Sequence, residues 1–156
     1  MKEIELTQGR KAIVDDDDFE RINKFKWYSH IGKGYAARGK RKIDGKWKLW
    51  YLHWDIIGKP KDGFVMDHIN GNILDNRKEN LRIVTPSQNK MNSKKYKIKT
   101  SSFKGVSWDK IKKKWVAQIQ VRRKVIHLGR FKIPKSAYLA YCNASLKYHK
   151  EFGRIN

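Results

Sequence analysis

The chain has 156 residues and a net charge of +22, from 37 Lys+Arg against 15 Asp+Glu, enough length for one ordinary domain or two very small ones. A field of that sign gathers polyanions, most commonly nucleic acid, while an aromatic share of 12% with six Trp excludes a disordered basic tail. No apolar run approaches the roughly 20 residues that cross a bilayer, no signal peptide is recognised, and the lone Cys142 excludes a disulfide framework or a Cys-rich zinc site, so a soluble intracellular protein with no membrane partner is the default expectation.

The first 60 residues read as short strands and one short helix. Ile4 and Leu6 alternate with polar neighbours, and Lys11 to Val14 makes a second short run. Asp17-Asp18-Phe19-Glu20 reads as a capping-box start for a helix through about Lys24. Four consecutive aspartates, 15–18, suit a turn and a helix N-terminus better than a metal, because consecutive side chains diverge. After Trp27, the segment Gly34–Arg38 and the run Trp47–His53 flank Asp44-Gly45, a hairpin-turn dipeptide.

Residues 61 to 93 hold the chemistry. Phe64–Asp67 reads as a short strand followed by the turn signal Asn70-Gly71, and a polar loop leads to a second strand, Leu81–Val84. Thr85-Pro86 starts a helix, with Thr as N-cap and Pro at the first helical position. Hydrolysis of a phosphodiester needs an activated water, a cation against the developing charge, and help for the leaving oxygen. Asp67 offers a hard oxygen ligand suited to Mg²⁺, and His68 a general base near neutral pH. Asn89, in the first turn of the helix, brings a second oxygen ligand. Asn80 fixes the loop and holds His68 in one orientation. Adjacent strand residues face opposite ways, so Asp67 and His68 share a site only if the strand ends or twists there, which the following turn signal provides. His53 either supports this site, touches phosphate, or is a packed histidine. Arg77 and Arg82 either clamp the scissile backbone or lie on a solvated face. Asn92 shares the helix face of Asn89.

The ordered string Asp67-His68-Ile-Asn-Gly-Asn, Asn80 twelve residues after His68 and Asn89 nine further on, resembles the HNH endonuclease family in its phage and homing branch. The resemblance implies a ββα-metal (His-Me finger) hairpin, in which Asp67 and Asn89 hold the metal, His68 activates water and Asn80 is the structural middle residue. Asn89 stands where many members have His. This HNN variant fits one oxygen-ligated Mg²⁺ or Mn²⁺ per active site better than zinc.

From Lys90 to Lys132 there are 15 Lys/Arg and one acidic residue, Asp109. Within it, a basic linker of about 94–101 is expected to be extended. Beyond it, Phe103–Trp108, Lys114–Arg122 and Lys124–Phe131 read as three antiparallel strands, with Trp108 and Trp115 in the core, and Ser136 to about Phe152 as a helix packed on them. Phe103-Lys104-Gly105-Val106-Ser107-Trp108, Lys114-Trp115-Val116-Ala117-Gln118-Ile119 and His127-Leu128-Gly129-Arg130-Phe131, with Ala137 and Ala140-Tyr141, resemble an AP2 DNA-binding domain over most of 102–149. By that resemblance the sheet meets the major groove through Lys104, Ser107, Asp109, Gln118, Gln120 and His127, joined by Arg122 and Arg123 near the turn. Gln118 and Gln120, two apart on one strand face, suit bidentate bonding to adenine.

The expected whole is α+β: an HNH nuclease domain at 1–93 with an N-terminal β-rich support over about 1–60, the linker, and an AP2-like domain at 102–156. The expected function is a metal-dependent endonuclease on double-stranded DNA, of homing type and virus-encoded, a monomer that nicks or a homodimer that breaks both strands. A non-catalytic, sequence-specific DNA-binding regulator is the alternative, and an RNA-binding basic protein is disfavoured because the sheet face is polar rather than an aromatic platform.

Overall fold

Alternation of buried and exposed side chains builds the first sheet. In the computed structural model, which describes residues 1–94 and 101–155, β1 (Lys2–Glu5) pairs antiparallel with β2 (Lys11–Val14), Ile4 opposite Ala12. Residues 95–100 of the expected linker lie outside the described residues. The chain is a mixed α/β protein that divides into two compact units, Met1–Pro86 and Ser87–Asn156.

In the first unit, Ile4, Leu6, Ala12, Val14, Ile22, Trp27, Ala36, Leu52 and Leu74 form one core. Trp27 is buried whole, and its indole N–H donates to the Ile22 carbonyl at 2.9 Å, so a large ring is desolvated without stranding its polar atom. Helix α1 runs Asp16–Ile22 with Asp15 as cap, earlier than the expected capping box at 17–20 and short of Lys24. The reason is electrostatic and tertiary. Asp16, Asp17 and Asp18 fill the acidic first turn, and Asp15 accepts from the Lys78 N–H at 2.8 Å.

Strands β3 (Tyr28–Ser29), β4 (Ala36–Arg41) and β5 (Trp47–Tyr51) form an antiparallel sheet in that order. Asp44-Gly45 lies in the β4–β5 turn as expected, Gly45 at φ +77°. The expected strand to His53 is corrected: it stops at Tyr51, and Leu52–Ile57 is a helix, α2. Leu52 and Ile56, four apart, both pack on the core, a helical spacing that an aromatic-rich run of six residues hides.

A second two-stranded sheet joins β6 (Val65–His68) to β7 (Leu81–Val84), with Asp67 opposite Arg82 and His68 opposite Leu81. The strand lies one residue later than the expected 64–67, so His68 is its last residue. Between them, Lys78–Asn80 makes a 3₁₀ turn. Helix α3 (Pro86–Asn92) starts at the expected proline, and from Ser87 on it belongs to the second unit.

In the second unit, β8 (Val106–Asp109), β9 (Lys114–Val121) and β10 (Lys124–Phe131) form an antiparallel sheet with β9 central. Helix α4 (Pro134–His149) packs on it, starting before the expected Ser136 because proline suits a first helical turn. It stops before the expected Phe152, where Lys150 turns to φ +50°. Val106, Ala117 and Ile119 from the sheet meet Ala137, Tyr141 and Ala144 from the helix. Trp115 packs on this core and Trp108 against Trp115, ring centroids 5.0 Å apart, but Trp108 stays 36% exposed.

Gly105 sits at φ +71°, and a Cβ there falls 2.0 Å from the Tyr141 ring and 2.8 Å from the Gln118 carbonyl. Gly105→Ala therefore combines overpacking with backbone strain and destabilises the second unit by about 3 kcal/mol, measured by urea unfolding; a change below about 0.5 kcal/mol contradicts this packing.

Candidate active site and nucleic-acid interface

At the end of β6 two adjacent polar side chains are both buried, Asp67 at 4% exposure and His68 at 4%. Each has its own partners. Asp67 Oδ2 accepts from Arg82 Nε and Nη2, both at 2.8 Å, so the directly opposite strand residue orients the carboxylate. His68 is enclosed by rings: Tyr35 stacks on it with centroids 5.8 Å apart at 28°, and His53 meets it edge-on at 5.5 Å. Asn76, 1% exposed, presents Oδ1 3.4 Å from His68 Nε2. Its amide nitrogen donates to the Leu74 carbonyl at 3.0 Å, which fixes which end of the amide faces the histidine.

The loop after His68 is laced by amides. Asn80 Oδ1 accepts from the Asn70 N–H at 2.9 Å, and its Nδ2 donates to the Asp75 carbonyl at 2.7 Å. The Asn80 carbonyl accepts from the Ile69 N–H at 2.9 Å. Asp75 receives Arg77 Nε and Nη2 at 2.8 Å each and Asn70 Nδ2 at 2.8 Å; the Arg77 guanidinium beside it holds its carboxyl below the usual carboxylate range. Arg77 also pairs with Glu79. Both arginines considered for the scissile backbone are thus engaged within the unit, Arg82 by Asp67 and Arg77 by Asp75.

Burial pushes the His68 imidazole below its ordinary value, partly offset by the hydrogen bond to Asn76 and the charges of Asp67 and Asp75. A neutral ring at pH 7 follows, the form that accepts a proton. With Nε2–H turned to Asn76, the lone pair of that ring sits on Nδ1. His53 is more strongly desolvated and is pushed down to about 3, with His68 a lesser cause. It is 3% exposed, stacks on Tyr51 at 5.3 Å, and its Nδ1 has no partner among the described residues.

Tyr35 and Asn76 were missed as site residues. Asn76 lies inside the polar string, where one more asparagine carries no separate signal. Tyr35 stands in Gly34-Tyr35-Ala36, where no pattern marks it. Asn89 and Asn92 lie on α3 in the second unit, Asn89 half-buried and Asn92 buried.

In that unit, Ser107, Gln118, Gln120 and His127 alternate with the inward Val106, Ala117 and Ile119, so they lie on the sheet face away from α4. Gln118 stands opposite His127. The Gly129 N–H donates to His127 Nδ1 at 2.8 Å, which places the proton of the neutral ring on Nε2, a donor. Arg122 and Arg123, at φ +47° and +67°, make the exposed β9–β10 turn. Asp109 is spent on its own turn, accepting from the Ile111 and Lys112 N–H groups. Lys104, expected to contact DNA, is engaged within its own unit. Its ammonium turns inward and donates to the Met91 and Ser93 carbonyls, and burial pushes it down to about 8.

A histidine whose folded value is lowered leaves the protein intact above its unfolded value of about 6.5 and costs stability as pH falls below it. For His53 that window runs from about 6.5 to about 3. His53→Phe, which keeps the ring stack, should lose clearly less Tm than the parent between pH 7 and pH 4.5. Equal losses in the two proteins contradict a neutral, desolvated His53.

Residues 56–91 match the family model described as HNH endonuclease. The chain is 40% identical over 63 residues to Protein 3.8 of Escherichia phage T7, covering 40% of this chain and 52% of that one. It is 36% identical over 102 residues to a protein of Acanthamoeba polyphaga mimivirus named as an uncharacterised HNH endonuclease, covering 64% and 50%. It is 34% identical over 90 residues to an SPbeta prophage-derived protein of Bacillus subtilis (strain 168) named as an HNH homing endonuclease candidate, covering 58% and 45%. The chain spans about half the length of these curated relatives, and no solved structure matches it. The segment that matches the HNH endonuclease model holds β6, the amide-laced loop, β7 and most of α3.

Proposed function

We propose that the chain is a metal-dependent endonuclease that hydrolyses phosphodiester bonds of double-stranded DNA, with His68 as the base that activates water. The observation that carries this reading is the buried Asp67-His68 pair at the end of β6, each side chain oriented by its own partner, inside the segment that matches the HNH endonuclease model. Two adjacent polar groups cost free energy to bury, and a role in catalysis accounts for that cost.

The donors fit a hard divalent cation. Asp67 brings a buried carboxylate oxygen, a hard donor. A carboxylate oxygen is the kind of donor that Mg²⁺ or Mn²⁺ prefers, whereas zinc favours imidazole and thiolate. Such a cation, when bound, stabilises charge on the phosphate and acidifies water. Arg82 keeps the Asp67 carboxylate in one orientation, Asn76 keeps the His68 ring in one tautomer, and Tyr35 and His53 keep bulk water off its faces. Asn80 holds the loop that follows His68, and its role is to position rather than to react.

The second unit supplies DNA contact and site preference in this reading. Its polar sheet face, with Ser107, Gln118, Gln120 and the His127 Nε2–H, offers donors and acceptors to base edges, and Arg122 and Arg123 reach phosphate. The resemblance to AP2 domains supports this use of the sheet. The prophage-derived relative's name supports a homing type.

Supercoiled plasmid incubated with the protein is expected to be cut in Mg²⁺ or Mn²⁺ and left intact in EDTA. His68→Ala should slow cutting by about 100-fold or more. The rate requires neutral His68, so it should be level through neutral pH and fall only below about 6.5, since burial lowers the folded value beneath that ordinary one. Plasmid left whole with every metal defeats the enzyme reading, and His68→Ala cutting at the parent rate defeats the assigned base.

A further inference from the structure

The β4–β5 hairpin does more than support the core. Its base is anchored: the Arg38 guanidinium pairs with Asp55 at 3.0 Å and lies 3.8 Å over the Phe25 ring, while Trp50 Nε1 donates to Asp55 at 2.9 Å. Beyond that base the ribbon carries Lys40, Arg41, Lys42, Lys46 and Lys48 against a single acid, Asp44. Asp44 is used in the turn, where its Oδ1 accepts from the Lys46 N–H at 3.0 Å. Among the described residues no carboxylate pairs with any of these five cations.

The arrangement is costly for a purely structural hairpin. Lys40 stands directly opposite Lys48, a like-charge pair that destabilises a ladder. Both ammonium groups sit over the Trp50 ring, at 4.0 and 5.4 Å from its centroid. On the other face Trp47 lies against Gly39, where an added Cβ would come within 3.1 Å of the indole, yet Trp47 remains 73% exposed. Ile43 at the tip is fully exposed. The turn itself is firm: the Lys42 N–H donates to the Lys46 carbonyl at 2.8 Å, and Gly45 takes φ +77°. An ordered, unneutralised, cationic ribbon with an apolar tip has the shape of an element that enters a major groove, which admits a two-stranded ribbon. Its cations match the phosphates on either side, and Ile43 and Trp47 match thymine methyl groups.

We propose that the β4–β5 hairpin is a DNA-contact ribbon of the first unit itself, docking in the groove of double-stranded DNA. The proposal rests on the nuclease reading for its choice of partner, but its test needs no cleavage. Binding of the full chain to a random-sequence duplex is measured by fluorescence anisotropy in EDTA at 50 and 200 mM salt. The double variant Lys42→Ala/Lys46→Ala is compared with a charge-matched control, Lys24→Ala/Lys26→Ala, whose lysines are exposed elsewhere in the unit. Losing two phosphate contacts should make the drop in affinity between the two salts about tenfold smaller than in the parent, with the control close to the parent. Trp47→Ala should weaken binding while leaving the salt dependence unchanged. Lys42→Gln/Lys46→Gln, which keeps side-chain bulk, should repeat the result with an unchanged Tm. Equal effects from hairpin and control pairs, no change from the hairpin pair, or a loss confined to single-stranded DNA each overturn the proposal. Failure to cut plasmid overturns the nuclease reading and leaves this binding result standing.

Discussion

The backbone of one residue in β2 ties the loop between β6 and β7 to the N-terminal core. The Ile13 N–H donates to the Leu74 carbonyl at 2.7 Å, and the Ile13 carbonyl accepts from the Asn76 N–H at 2.8 Å. This short parallel pairing seats Leu74 in the core beside Ile4 and Val14. It also sets the backbone of Asn76, whose side chain faces His68. A two-stranded hairpin such as β6–β7 is marginal by itself, so the first 60 residues contribute a fixed edge on which the loop is built. Asp15 adds to the same seam by accepting from the Lys78 N–H, and Asp18 pairs with Lys78 at 3.0 Å. The run of aspartates that reads as a turn and helix start is thus also a fastening for the loop.

Charge is distributed by the same logic. Buried or half-buried acids hold their own arginines: Asp67 holds Arg82, Asp75 holds Arg77 and Asp55 holds Arg38. Pairing of this kind makes a desolvated carboxylate tolerable. The same pairing engages those guanidinium groups within the unit. The cations left over lie on exposed elements, among them the β4–β5 hairpin in the first unit and, in the second, Lys110 to Lys114 at the β8–β9 turn and the Arg122-Arg123 turn. Most of the charge that points to nucleic acid therefore lies outside the buried pair.

Much of this was legible in the sequence, and the reasons for the remainder are physical. Strands β7 and β10 run over the expected residues, and Pro86 starts α3, because β-branched runs and a proline at the first turn are local signals. The segment from Asp67 to Asn80 was legible because a polar string between two short apolar strands is unusual. Helix α2 was not, since Leu52 and Ile56 acquire meaning only against a core built from distant strands. Tyr35 was hidden for the same reason: its stack on His68 joins residues 33 positions apart. Lys104 misled because a lysine before a β-strand looks exposed, whereas here it caps the carbonyls at the end of α3. The partners of Arg77 and Arg82 were hidden likewise, since loop closure and strand register set them.

The central claim is that the amide-laced loop holds His68 ready for chemistry rather than merely stabilising a fold. Single-turnover cleavage by Asn80→Ala, measured in Mg²⁺ beside its affinity for the same duplex, tests it most directly. The account predicts a rate lowered about 100-fold, with affinity within about twofold of the parent. A rate equal to the parent's, or one that falls only in step with affinity, would contradict it.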